Sequence, residues 1–173
     1  PEESGAHFQL CFADVHSYLP QTTRSNPPTF RRSAASASES AANAGLGAAH
    51  GFAGPVGGMF PAPHGAVCAA FLPHVMAANI HTLTERASDS PTLNRYEEIA
   101  RILTCDPAAR AADGIRWVQA LTAQLRIPAL GAYGVRVEDV PALVEKTLVA
   151  SSTKANPIVL TREELTDIIT RTL

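Results

Sequence analysis

Apolar side chains recur at intervals of three and four residues over most of the chain beyond residue 33, the pattern of helices that bury one face. Val67, Phe71, Leu72, Val75, Met76 and Ile80 form such a stripe and predict a helix that follows His64. Pro73 interrupts the stripe and is expected to kink the helix or mark a boundary, because its ring nitrogen cannot donate to the helical ladder. The polar run from Asn79 to Pro91 reads as a loop. The next segment, Tyr96 to Leu103, places Ile99, Ile102 and Leu103 on one face. Asp106-Pro107 is a favourable helix start for a segment carrying Ile115, Trp117, Val118, Leu121 and Leu125 that stops before Pro128. Leu130 to Gly134 reads as a turn, and Glu138, Asp139 and Pro141 open a helix carrying Val140, Leu143, Val144 and Leu148. After a loop at Ser151 to Pro157, Thr161-Arg162-Glu163-Glu164 has capping-box spacing ahead of Leu165, Ile168 and Ile169. No stretch beyond residue 33 sustains period-two alternation. The pattern predicts an all-α domain of six or seven helices.

The first part of the chain departs from this pattern. Residues 1–33 form an irregular leader rich in Pro and Ser, and the Ala/Ser-rich run that follows predicts a helix over about 34–44. The expected division is therefore a leader at 1–33 and a helical domain at 34–173. With 173 residues, 46% hydrophobic and 17% charged, one compact core is within reach. A net charge of −2 without a basic stripe argues against nucleic acid as a partner. No uninterrupted apolar run reaches bilayer length and no signal pattern opens the chain, so neither membrane nor export is expected. Cys11, Cys68 and Cys105 lack Cys-x-x-Cys spacing and read as reduced thiols of a cytoplasmic protein. The opening Pro1-Glu2-Glu3, without Met, reads as the start of a fragment.

Candidate chemistry concentrates between His50 and His64, which bracket a connection rich in Gly and Pro. Gly and Pro break periodicity, so the expected local structure is helix, irregular loop, helix, with one imidazole at each edge. Imidazole is a common ligand for transition metals, which makes the pair a candidate metal site. On spacing alone, hydrogen-bonded structural histidines are the commoner outcome. His74 and His81 read as capping or surface residues, and Asp14 with His7 and His16 as a coincidence within the leader. Gly57-Gly58 reads as a tight turn, Trp117 as core, Cys68 as a small buried hydrophobe, and Ser151, Ser152 and Lys154 as a solvated loop.

The run Asn43-Ala44-Gly45-Leu46-Gly47-Ala48-Ala49-His50-Gly51-Phe52-Ala53, followed by Gly57-Gly58, Pro63-His64-Gly65, Leu72-Pro73-His74-Val75 and Asn79, resembles the signature of the iron-containing alcohol dehydrogenase family. Ser151-Ser152-Thr153-Lys154-Ala155-Asn156-Pro157 is similar to the family's C-terminal ending, so agreement spans roughly residues 41–173. The resemblance implies the C-terminal helical domain of a dehydroquinate synthase-like fold, with the N-terminal α/β nucleotide-binding domain absent. It implies a divalent metal, iron first and zinc as the alternative, held by one Asp and three His, two of which match His50 and His64. It further implies NAD or NADP as cofactor and a small alcohol or carbonyl compound as substrate, exchanged by Lewis-acid-assisted hydride transfer.

Departures from the family pattern bear on what this chain does alone. The remaining ligands normally come as Asp-x-x-x-His upstream, and no such spacing precedes His50; Asp14-Val15-His16 is too short. A His four residues after the first ligand, near the nicotinamide in many members, is Gly54 here. Two functional classes therefore stand: the metal-binding part of an alcohol-interconverting oxidoreductase, or a non-catalytic helical fragment or interaction module. In either case an uncovered apolar face is expected to promote homo-oligomers or self-association.

Overall fold

A computed structural model describes residues 47–173. The leader, the expected helix over 34–44 and the boundary between them lie outside the described residues. The rest is all-α, as the apolar spacing predicts. In chain order the helices are α1 (Ala48–Met59), α2 (His64–Arg86), α3 (Pro91–Thr104), α4 (Ala111–Gln124), α5 (Val140–Val149) and α6 (Arg162–Thr172). Single 3-10 turns at Leu130–Tyr133, Val137–Asp139 and Ser151–Ala155 connect the later elements.

The core lies between α1, the first half of α2, α5 and α6. Phe52 and Val56 of α1, Phe71 of α2, Leu143 and Val144 of α5, and Leu165 and Ile169 of α6 are all withdrawn from solvent. Phe52 and Phe71 stack with ring centroids 4.4 Å apart and planes within 10°, which sets the crossing of α1 on α2. The last helix begins as its sequence predicts. Glu164 N–H donates to Thr161 Oγ1 at 3.2 Å while Thr161 N–H donates to Glu164 Oε2 at 2.6 Å. Leu165, Ile168 and Ile169 then face inward.

Several local expectations are corrected. The segment after His50 is helical to Met59, and only residues 60–63 are irregular. Pro55 removes a donor to the Gly51 carbonyl, at about 3 kcal/mol. Burying Phe52 and Val56 in the same helix returns about 1.5–3 kcal/mol each, which together offsets that cost. Pro73 likewise neither ends nor divides its helix, because it is buried among core residues of α2.

The polar stretch from Asn79 continues α2 to Arg86, since Asn79, Thr82 and Leu83 are buried on the inner face. On α3 the buried residue is Ala100, while Ile99 and Ile102 are exposed. A Cβ on Gly114 of α4 would lie 3.1 Å from the Ala100 Cβ, so small residues bring α3 and α4 together. Trp117 is half-buried rather than core, and Asp106-Pro107 forms a turn ahead of α4. Helix α2 is long and apolar enough to cross a membrane, with mean hydropathy 1.4, and half of that stretch is buried within the domain. It passes that test because its interruptions are His, Pro and Asn rather than charges.

Candidate metal centre

Two helices that meet at a short corner build the site. His50 lies in the first turn of α1 and His64 is the first residue of α2. The corner is closed by Phe60 N–H donating to the Val56 carbonyl at 2.8 Å and Ala62 N–H to the Phe60 carbonyl at 2.8 Å. The corner brings the start of α2 back to the first turn of α1, and the two imidazoles meet with centroids 5.3 Å apart and planes at 56°. His50 is half-buried and His64 is exposed, so the pair opens toward solvent on one side.

Cys68 belongs to the same group. It sits one turn beyond His64 on the same helical face, and its Sγ lies 3.6 Å from His64 Nε2. The side chains of His50, His64 and Cys68 each offer a ligand atom, and these atoms all lie within 4.8 Å of one another. Cys68 is half-buried, and burial pushes its thiol up from the ordinary range. This differs from the reading of Cys68 as a small buried hydrophobe: its sulfur faces a histidine. A donor set of two imidazoles and a nearby thiol fits a borderline divalent ion.

What holds His50 in place comes from far along the chain. Gly47 has no side chain to cap α1, and Asn156 does this instead: Ala48 N–H donates to Asn156 Oδ1 at 3.1 Å. Asn156 is itself locked to buried Asn79 by a reciprocal amide pair, donating to Asn79 Oδ1 at 2.7 Å and accepting from Asn79 Nδ2 at 3.2 Å. Asn156 Nδ2 also donates to the Ile158 carbonyl at 2.8 Å. One residue past His50, a Cβ on Gly51 would lie 2.0 Å from Thr153 Oγ1, so only Gly lets α1 seat on the Ser151–Ala155 turn. Asn79 and the Ser151–Pro157 segment both stand out in the sequence, but their pairing across 77 positions leaves no periodic trace.

The other histidines lie apart from this group. His81 is exposed beside Glu85 at 3.4 Å, a surface residue as expected. His74 lines a separate cavity of about 260 Å³ with Gln119, Thr122 and Arg171. Burial holds the His74 pKa down, Arg171 adds to this, and Asp167 opposes it. Gly57 and Gly58 lie within the last turns of α1 rather than in a tight turn. Ser152 and Lys154 sit in the 3-10 turn, with Lys154 exposed. A Cβ on Gly54 would meet nothing within 4 Å, so open space borders that exposed position of α1. His7, Asp14 and His16 lie outside the described residues.

The chain is similar to known proteins over most of its length. Residues 29–173 match the C-terminal region of the Fe-containing alcohol dehydrogenase family. The chain is 35% identical over 132 residues to lactaldehyde reductase of Escherichia coli K12, covering 72% of this chain and 32% of that protein. It is 28% identical over 165 residues to the NAD-dependent methanol dehydrogenase of Bacillus methanolicus, covering 92% of this chain and 42% of that protein. Among solved structures, the iron-containing alcohol dehydrogenase from Thermococcus thioreducens aligns with TM-score 0.58 and 30% identity over 73% of this chain and 32% of that one. A 1,3-propanediol oxidoreductase aligns with TM-score 0.60 and 26% identity over 74% and 33%. The chain thus spans about a third of the length of several of these relatives. It belongs to the iron-containing alcohol dehydrogenase family, whose C-terminal helical domain it carries.

Proposed function

We propose that this chain is the metal-binding helical part of an NAD(P)-linked oxidoreductase that interconverts a small alcohol with an aldehyde or ketone. The observation that carries the reading is the convergence of His50 and His64 across a four-residue corner, with one side of the pair open. Family membership supports iron as the resident ion, with zinc the alternative, and the named activities of the relatives support a short-chain alcohol or carbonyl compound as substrate.

When bound, a divalent ion supplies Lewis acidity toward the substrate oxygen, and the nicotinamide supplies or accepts hydride. This chain's residues provide the frame for that chemistry. His50 and His64 present imidazole lone pairs from two helices that are fixed to each other by the Phe52–Phe71 stack. Asn156 anchors the first turn of α1 and so sets the depth of His50. The exposed face beside His64, bordered by the open position at Gly54, leaves room for substrate and for groups contributed by the remainder of a whole enzyme.

The test is metal content of the purified chain by elemental analysis, followed by iron and zinc titration. Near-stoichiometric binding that disappears in the His50→Ala/His64→Ala double variant is the expected result. Binding that survives the double variant would overturn the ligand assignment. No binding by the native chain would favour the non-catalytic helical module.

A further inference from the structure

We propose that Cys68 is a third metal ligand supplied by this chain, so that His50, His64 and Cys68 form a two-nitrogen, one-sulfur face suited to a zinc-class ion. The inference rests on the metal-binding reading of the two histidines and adds a donor to it. Three observations carry it. The three ligand atoms already lie within 4.8 Å of one another. Cys68 follows His64 by one helical turn, so the helix itself holds thiol and imidazole on one face. Finally, the His64 Nε2 to Cys68 Sγ separation is 3.6 Å. Tetrahedral zinc with ordinary Zn–N and Zn–S bonds requires an N···S edge of about 3.6 Å, so this edge needs no rearrangement.

The alternative account of that contact is a thiol–imidazole hydrogen bond, which the same distance allows. The two accounts differ in what happens when an ion arrives. As a ligand, Cys68 gives up its thiol proton to solvent and its sulfur forms a bond to the ion. Three donors then come from one helical corner, and further coordination stays open on the exposed side of His64. Thiolate is a soft ligand, so such a face favours zinc over iron(II) more than a purely imidazole and carboxylate set does.

Cobalt(II) titration of the full chain tests this, because cobalt reports sulfur ligation by a thiolate-to-cobalt charge-transfer band and coordination geometry by its visible bands. The expected result is a charge-transfer band that saturates at one ion per chain, is abolished in Cys68→Ser and Cys68→Ala, and is displaced by zinc. Zinc affinity should fall by at least about tenfold in Cys68→Ser, with helical circular dichroism unchanged. Visible cobalt bands that depend on His64 but carry no charge-transfer band would overturn the inference and leave the two-histidine site standing. A charge-transfer band that survives Cys68→Ser would come from another sulfur and would also overturn it. No cobalt or zinc binding at all would remove the metal-site reading beneath it.

Discussion

Asn156 and His50 both lie against the first turn of α1, yet their polar atoms are used in opposite ways. Every polar atom of the Asn156 amide is engaged: Oδ1 accepts from Ala48 and Asn79, and Nδ2 donates to Asn79 and Ile158. The His50 ring meets His64 at a tilt of 56° and, among the described residues, no hydrogen bond engages it, while His64 meets Cys68. A closed set of polar groups stabilises architecture, since each buried donor and acceptor has its partner. An open set keeps its bonding capacity for something from outside. The contrast separates residues that merely stand out in the sequence from those that have lone pairs left to use.

The largest expected effect breaks the comparison on the histidine side. His64→Ala should weaken iron or zinc binding by more than about a hundredfold, read by titration against a chromophoric chelator. Because His64 is exposed, its removal should change folding stability by no more than about 0.5 kcal/mol.

On the other side, Asn156→Ala should cost about 2–4 kcal/mol, seen as a lowered urea midpoint. It strands the Ala48 N–H and the Oδ1 of buried Asn79, whose Nδ2 keeps its donation to Tyr96, and each unsatisfied buried group costs about 1–3 kcal/mol. Its metal affinity should fall far less than that of His64→Ala. An Asn156→Ala chain with unchanged stability would erase the distinction between the two regions.

Gly51→Ala sharpens the comparison at the residue between them. The added methyl would collide with Thr153 Oγ1, which is held by donation to the Thr147 carbonyl at 2.7 Å. The expected loss is about 1–3 kcal/mol by urea unfolding, with metal binding weakened only as far as α1 shifts.

The smallest effect concerns pH. Burial pushes the Glu164 carboxyl upward, but the Thr161 N–H, the Thr82 hydroxyl and the Arg86 guanidinium together hold it below its usual range. A depressed folded value means that the contribution is complete above the unfolded value of 4.5 and is lost as pH falls through the folded one. Urea midpoints taken from about pH 5 downward should therefore decline, and Glu164→Gln should make that decline shallower. An equally steep decline in Glu164→Gln would show that other carboxylates govern acid stability.

Much of this was legible in the sequence. The capping box at Thr161, the inward faces of α5 and α6, and the linked motifs around His50 and His64 all depend on local spacing. The Gly- and Pro-rich run after His50 misled because a local rule about donors met a tertiary one about burial, and burial prevailed; of the two readings for Pro73, the boundary fell for the same reason. Ile99 and Ile102 misled in the opposite sense: α3 approaches α4 through Ala100 and Gly114, where large residues do not fit. The Asn79–Asn156 pair and the cap on Ala48 link positions 77 and 108 residues apart, and no window of the sequence holds both ends. Cys68 lay in plain view at i+4 from His64, but a thiol in an apolar helix looks the same whether it faces a core or a ligand.

The spacing of the ligands also bears on how the chain assembles. His50 and His64 are fourteen positions apart, and the corner between their helices needs no distant segment to close it. A bridge between them ties off a short loop, and cross-links of about this length restrict the unfolded chain by about 3 kcal/mol. An ion at this corner would act as a tether as well as a reagent. It would reward the pairing of α1 with α2 before α5 and α6 arrive, and would couple metal supply to the lifetime of the folded domain.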